Sequence, residues 1–125
     1  MKLEEGLFNY LKTAIPSASI YGQLRGERLP AVVYTLISDP VEISLCAVDQ
    51  IHESRYQIDC YTRKYQQVKQ LAFQVTRALH NKTGKLGDYP IQRVLLENTM
   101  DGFEENAKLF RQILTFVIYH NGASP

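Results

Sequence analysis

The sequence predicts an α+β fold: a single, mostly antiparallel β-sheet with an N-terminal helix and a long middle helix packed on one face. Three observations lead there. Residues 64–82 repeat apolar side chains with a helical period: Val68, Leu71, Ala72, Val75, Ala78 and Leu79 share one face. Residues 52–61 alternate, with Tyr56, Ile58 and Cys60 toward one side and Arg55, Gln57 and Asp59 toward the other. Residues 107–120 (AKLFRQILTFVIYH) are rich in branched and aromatic side chains and apolar on both faces from Ile113 onward, which marks an interior strand. The elements come in blocks of helix, strands, helix, strands, and their close spacing favours antiparallel hairpins.

In chain order, residues 3–14 form an amphipathic helix with a stripe of Leu3, Leu7, Phe8, Leu11 and Ala14 or Ile15. Glu4 and Glu5 sit against the positive end of its dipole, and Pro16 stops it. Residues 17–30 are a polar connection with a short strand at Ile20 and Tyr21, broken by Gly22, Gly26 and Pro30. Residues 31–38 (AVVYTLIS) are a strand ended by Asp39 and Pro40. Residues 41–46 form a shorter second strand, and Asp49 and Gln50 a turn. Thr62 is the expected N-cap of the middle helix and Gly84 its end. Residues 91–98 are a strand and residues 99–106 (TMDGFEEN) an acidic loop. The domain covers 1–120, and residues 121–125 (NGASP) are a flexible tail.

Composition narrows the function. A chain of 125 residues, 45% hydrophobic and 22% charged, builds one core without metals or disulfides. Its 14 basic residues nearly balance 13 acidic ones, for a net charge of +1. A protein that lives on nucleic acid carries a clear basic excess, because phosphate neutralisation supplies most of its affinity. Near-neutral charge instead leaves little self-repulsion and permits self-association. The acidic, amphipathic N-terminus is no signal peptide, and no apolar run approaches the ~20 residues of a membrane span. A cytoplasmic setting with reduced thiols is therefore expected.

No constellation carries chemistry. Cys46, His52 and Cys60 have five and seven residues between them, unlike the close ligand pairs of structural zinc sites. No metal or cofactor is expected, and Cys60 is read as a small core residue. A cysteine nucleophile, Cys46 or Cys60 with His52, His80 or His120, has no local signature, and His120 stands close to the chain end. The acids divide between two expected loops, Asp49 with Glu53 and Asp101 with Glu104 and Glu105, where water keeps them ionised. Gly22, Gly26, Gly84 and Gly87 form no phosphate-binding pattern. Arg77, His80, Lys82 and Lys85 complement a helix C-terminus. What remains is a strand face bearing Arg55, Gln57, Asp59 and Arg111, suited to an ion-paired surface or a polar subunit contact.

Three blocks together carry a likeness. They are Leu29-Pro30-Ala31-Val32-Val33-Tyr34; Arg55-Tyr56-Gln57-Ile58-Asp59-Cys60-Tyr61 followed by a helix with Lys69, Leu71, Ala72, Val75, Ala78 and Leu79; and Phe103-Glu104-Glu105-Asn106 leading into residues 108–119 (KLFRQILTFVIY). In this order and spacing the chain resembles the tail-completion protein family of tailed phages and prophages, from Glu4 to Tyr119. The resemblance implies a structural virion protein and not an enzyme, with no catalytic, cofactor or metal residues to carry over. Such proteins are similar to tail terminators, which form a ring, commonly of six, on the head-proximal end of the tail tube. The implied partners are further copies of the chain, the tube protein and the head–tail connector, with genomic DNA passing through the lumen unbound. The virion neck, reached after assembly in the host cytoplasm, is the implied location. A head–tail adaptor ring is the near alternative, and a small Cys/His hydrolase the distant one. Expected contact residues are Asp49, Gln50, His52 and Glu53 on one loop, Asp101, Phe103, Glu104 and Glu105 on the other, and the strand residues Arg55 and Arg111.

Overall fold

A computed structural model describes residues 2–38 and 52–121. The expected strand at 41–46, the turn at Asp49 and Gln50, Cys46 and its possible pairing with Cys60, and residues 122–125 of the tail lie outside them. The order is α1 (Leu3–Ala14), β1 (Ser19–Gly22), β2 (Ala31–Ser38), β3 (His52–Thr62), α2 (Tyr65–Leu79), β4 (Gly84–Leu86), β5 (Tyr89–Ile91), β6 (Arg93–Glu104) and β7 (Leu109–His120). Five strands make one sheet in the order β1-β2-β3-β7-β6, while β4 and β5 pair separately. Every neighbour in the large sheet is antiparallel except β1 and β2, which run parallel. The class is α+β as expected, with a mixed and mostly antiparallel sheet.

Alternation decides which side is core. Val32, Tyr34, Tyr56, Ile58, Cys60, Leu114, Phe116 and Ile118 project to one face and join Leu3, Leu7 and Leu11 of α1 with Val68, Leu71, Val75 and Leu79 of α2 in one cluster. Phe116, Ile58, Leu7 and Leu79 are fully enclosed there, and burying each such side chain contributes roughly 1.5–3 kcal/mol. β7 lies between β3 and β6, the interior position its two apolar faces predict. Gly6 lets α1 settle against the small hairpin: a Cβ there would stand 2.5 Å from the Leu86 carbonyl oxygen and 2.8 Å from Tyr89 Cβ.

Four boundaries differ from the sequence reading. First, α2 covers 15 residues and ends before the expected 82. Asn81 takes a positive φ of 64°, donates to the Val94 carbonyl, and Val94 donates back to Lys82, so sheet bonding draws the chain out of the helix. Second, Lys64 and not Thr62 is the N-cap, because the Thr62 hydroxyl donates to the Lys64 carbonyl at 2.6 Å. Third, Gly84 does not end the helix but opens β4 with φ of 87°. Fourth, residues 99–104 are not a loop. They extend β6, so that β6 and β7, of 12 residues each, form a long hairpin closed by a turn at 105–108. Lys108, at φ 55°, completes that turn. Among the described residues, no helix is long and apolar enough to cross a membrane.

Candidate interaction surfaces

The face of the sheet away from the helices is paved with charges held in pairs. Asp59, almost wholly buried, receives Arg111 Nη2 at 2.8 Å and the Gln57 amide at 3.1 Å on both oxygens. Arg55 Nε donates to both Glu97 oxygens, at 3.1 and 3.2 Å, and its Nη1 lies 3.9 Å from Glu53. The connection from β1 to β2 returns over this face. Arg25 stacks on the Tyr61 ring, with Arg111 over the same ring, and reaches Glu104 at 3.5 Å. Desolvation is the largest influence and opposes the charge on Arg111, but the bond to Asp59, the Asp59 charge, and smaller contributions from Tyr61 and Glu104 together outweigh it and hold the guanidinium above its ordinary pKa. Desolvation also raises the Tyr61 hydroxyl.

The predicted contact residues fall into two groups. His52, Glu53 and Arg55 begin β3, opposite His120, Tyr119 and Val117. Asp101, Phe103, Glu104 and Arg111 stand at the other end of the same sheet. Six residue steps along β7 separate the Arg55 and Arg111 rows, about 20 Å at strand rise, so the two groups make no common site. Glu105 lies in the turn beyond β6, while Asp49 and Gln50 are outside the described residues. Asp101 is not a loop acid: on the helix side of β6 it bonds Lys69, whose ammonium also reaches Gln112 Oε1 at 2.7 Å. The Lys69 bond holds the Asp101 carboxyl below the ordinary carboxylate range, and the same bond raises the Lys69 ammonium. Gln112 in turn donates to Thr99 Oγ1 at 2.7 Å.

Of the described members of the candidate Cys/His pair, Cys60 and His120 are enclosed. Burial pushes the Cys60 thiol up, with the Asp59 charge adding to the rise, so its reactive thiolate is suppressed. His120 does not fray: it is buried, bonded to Ser54 Oγ at 2.7 Å through Nε2 and to the Tyr89 hydroxyl at 3.2 Å through Nδ1, with His52 stacked at 5.6 Å. Ser54 next to a histidine has the outline of a nucleophile and base. Both lie under the surface, however, where the pair bridges β3, β5 and β7 as a satisfied polar knot. Among the described residues, no group of three His, Cys, Asp or Glu is placed to hold a metal ion. Sequence reading missed Arg25, Lys69, Glu97 and Tyr61, because each acts through a partner far away in the chain.

Paired charges, stacked rings and a long hairpin are what the open face and edge of the sheet present. The chain belongs to the family described as Tail completion protein gp17, whose model matches residues 9–121. That is a family of phage tail structural proteins and not of enzymes. Among solved structures, a chain of the virion of a native gene transfer agent particle aligns with a TM-score of 0.60 at 17% identity, covering 93% of this chain and 84% of that one. A second solved structure aligns with a TM-score of 0.62 at 11% identity, over 97% of this chain and 92% of the other. At such identities the two neighbours establish the fold alone. No curated protein matches the sequence.

Proposed function

We propose that this chain is a tail terminator, a ring protein, commonly of six copies, that caps the head-proximal end of a tail tube, stops its growth and joins tail to head. The family match over residues 9–121 carries the reading. The surface supports it, since a capping ring needs rigid, polar contact areas and this sheet offers a face whose charges are already fixed by partners. The lateral and axial contacts belong to the two ends of the sheet, at His52, Glu53 and Arg55 and at Phe103, Glu104 and Glu105; Asp49 and Gln50, outside the described residues, are further candidates from the sequence. Genomic DNA passes through the lumen without specific binding, in keeping with a net charge of +1.

Deleting the gene and imaging the particles tests this. Tails of uncontrolled length, restored to uniform length by the wild-type chain, are expected. Uniform tails that fail to join heads would assign the chain to the adaptor instead. Normal, joined tails without the chain would end both readings.

A further inference from the structure

Among the described residues, seven large apolar side chains are well exposed: Leu24, Leu36, Ile37, Tyr65, Phe73, Met100 and Phe103. They fall into two sets, one at each edge of the five-stranded sheet. Met100 and Phe103 belong to the edge strand β6. Phe73 projects from α2 into an open groove of about 500 Å³ that runs beside β6 and is floored by Leu96, Thr99 and Leu114. Tyr65 meets Phe103 through Phe110, with ring centroids 5.8 and 5.2 Å apart. At the opposite edge, Leu24 follows β1, and Leu36 and Ile37 lie on β2 past its last pair with β1, Gly22 with Tyr34.

The outer side of β6 is divided by a bulge between Leu96 and Asn98. Before it, Val94 exchanges bonds with Asn81 and Lys82, and the Leu96 N–H donates to His80 Nδ1 at 3.0 Å. After it, among the described residues, no backbone partner reaches the outer side. A free strand edge invites another strand, and proteins guard against this with charge, proline or a covering segment. Among the described residues no proline or covering segment guards this stretch, and its charges are already answered, Asp101 by Lys69 and Glu104 by Arg25, with Met100 and Phe103 exposed beside them.

We infer that the outer edge of β6 beyond its bulge, with the adjoining α2 groove, receives a second copy of this chain, which adds the outer side of residues 35–38 of its own β2 as a strand. This rests on the ring reading and supplies its subunit contact. The donor segment, Thr-Leu-Ile-Ser, is uncharged and β-prone, and its Leu36 and Ile37 offer apolar groups to both faces of the new strand. The two edges differ, so each copy presents one acceptor and one donor, and successive copies turn by a fixed rotation until the ring closes.

Proline at an outward-pointing N–H tests this, because it blocks strand addition without touching the β6–β7 ladder. Val94 and Leu96 send their N–H groups outward and stand opposite Ile118 and Phe116. Beyond the bulge, Thr99 and Asp101 continue that row opposite Leu114 and Gln112. Wild type, Asp101→Pro, Asp101→Ala and Phe73→Glu are compared by sedimentation velocity and thermal melting. The expected result is a closed oligomer for wild type and Asp101→Ala, and a folded monomer for Asp101→Pro and Phe73→Glu. If Asp101→Pro does not fold, Phe73→Glu, altered at an exposed helix position, decides alone. Wild-type-sized rings from folded Asp101→Pro or from Phe73→Glu would overturn the edge contact while leaving the ring reading intact, and so would loss of the ring in Asp101→Ala to the same extent as in Asp101→Pro. A wild type that is monomeric at every concentration, alone and on tail tubes, would overturn both.

Discussion

Removing the Asp59 carboxylate is the sharpest test of how the open face is held. Its side chain is almost wholly buried, yet it lies on the face no described helix covers, and it is fixed by Arg111 at 2.8 Å and Gln57 at 3.1 Å. Asp59→Ala strands a guanidinium whose side chain is only a third exposed and whose Nε has no partner among the described residues. Breaking a fully buried ion pair costs about 3–5 kcal/mol. Water reaches part of Arg111, so about 2 kcal/mol is expected, or about 8 °C in Tm for a chain of this size. Arg111→Leu should cost about 3 kcal/mol, since it leaves the more deeply buried partner charged with only Gln57 to hold it. The double variant should lose less than the two single losses added, by about 1–2 kcal/mol. Urea unfolding with an unchanged m-value measures all three. An Asp59→Ala loss under about 0.5 kcal/mol, or strict additivity, would show that the pair does not hold the face together.

Three further outcomes follow from the packing and the titrating groups. Gly6→Ala, normally a gain within a helix, should destabilise by about 1–3 kcal/mol, because its Cβ meets the Leu86 backbone and Tyr89 Cβ, neither of which yields easily; chemical denaturation checks the sign. Asp101 should titrate below ordinary carboxylates in a carboxyl NMR titration, and Lys69→Met should move it upward. The sign follows from the lowered pKa: the contribution of this pair is present above the ordinary carboxylate range and lost as pH falls through the depressed value. In a Cys46→Ser background, Cys60 should resist a thiol reagent at pH 8 until the chain unfolds, since burial suppresses its thiolate.

Much of this fold was legible because local pattern and final environment agree. The alternation at Tyr56, Ile58 and Cys60 became the core face of β3, and the apolar stripe of α1 became its buried side. The reading failed where a polar residue is satisfied by a distant partner. Residues 99–104 read as a loop because Thr99, Asp101 and Gly102 weaken a strand pattern. Thr99 is held by Gln112 and Asp101 by Lys69, and Gly102 lies opposite Arg111 across the ladder. Likewise, nothing local to His120, near the chain end, announces the polar knot in which Ser54 and Tyr89, 66 and 31 residues away, hold it. Of the surface, the mixed charge of β3 and β7 pointed to an ion-paired face, but the partners that Glu97 and Arg25 supply from other elements were not visible in the alternation.

That neutralisation bears on how such a chain assembles. An edge strand with loose carboxylates repels a neighbour, and one without charge aggregates in solution. β6 avoids both: Asp101 and Glu104 remain for solubility, yet Lys69 and Arg25 bind them within the same subunit, so an incoming strand meets no loose carboxylate on the edge, while the long Lys69 side chain on α2 can turn to water if its partner is removed. Replacing Lys69 by Met would therefore leave the fold intact, since Asp101 is exposed, but release one carboxylate at the contact. Self-association should weaken, and it should recover as pH falls and Asp101 is protonated. Sedimentation velocity of Lys69→Met across pH reads this directly, and assembly equal to wild type at neutral pH would separate the salt bridge from the contact.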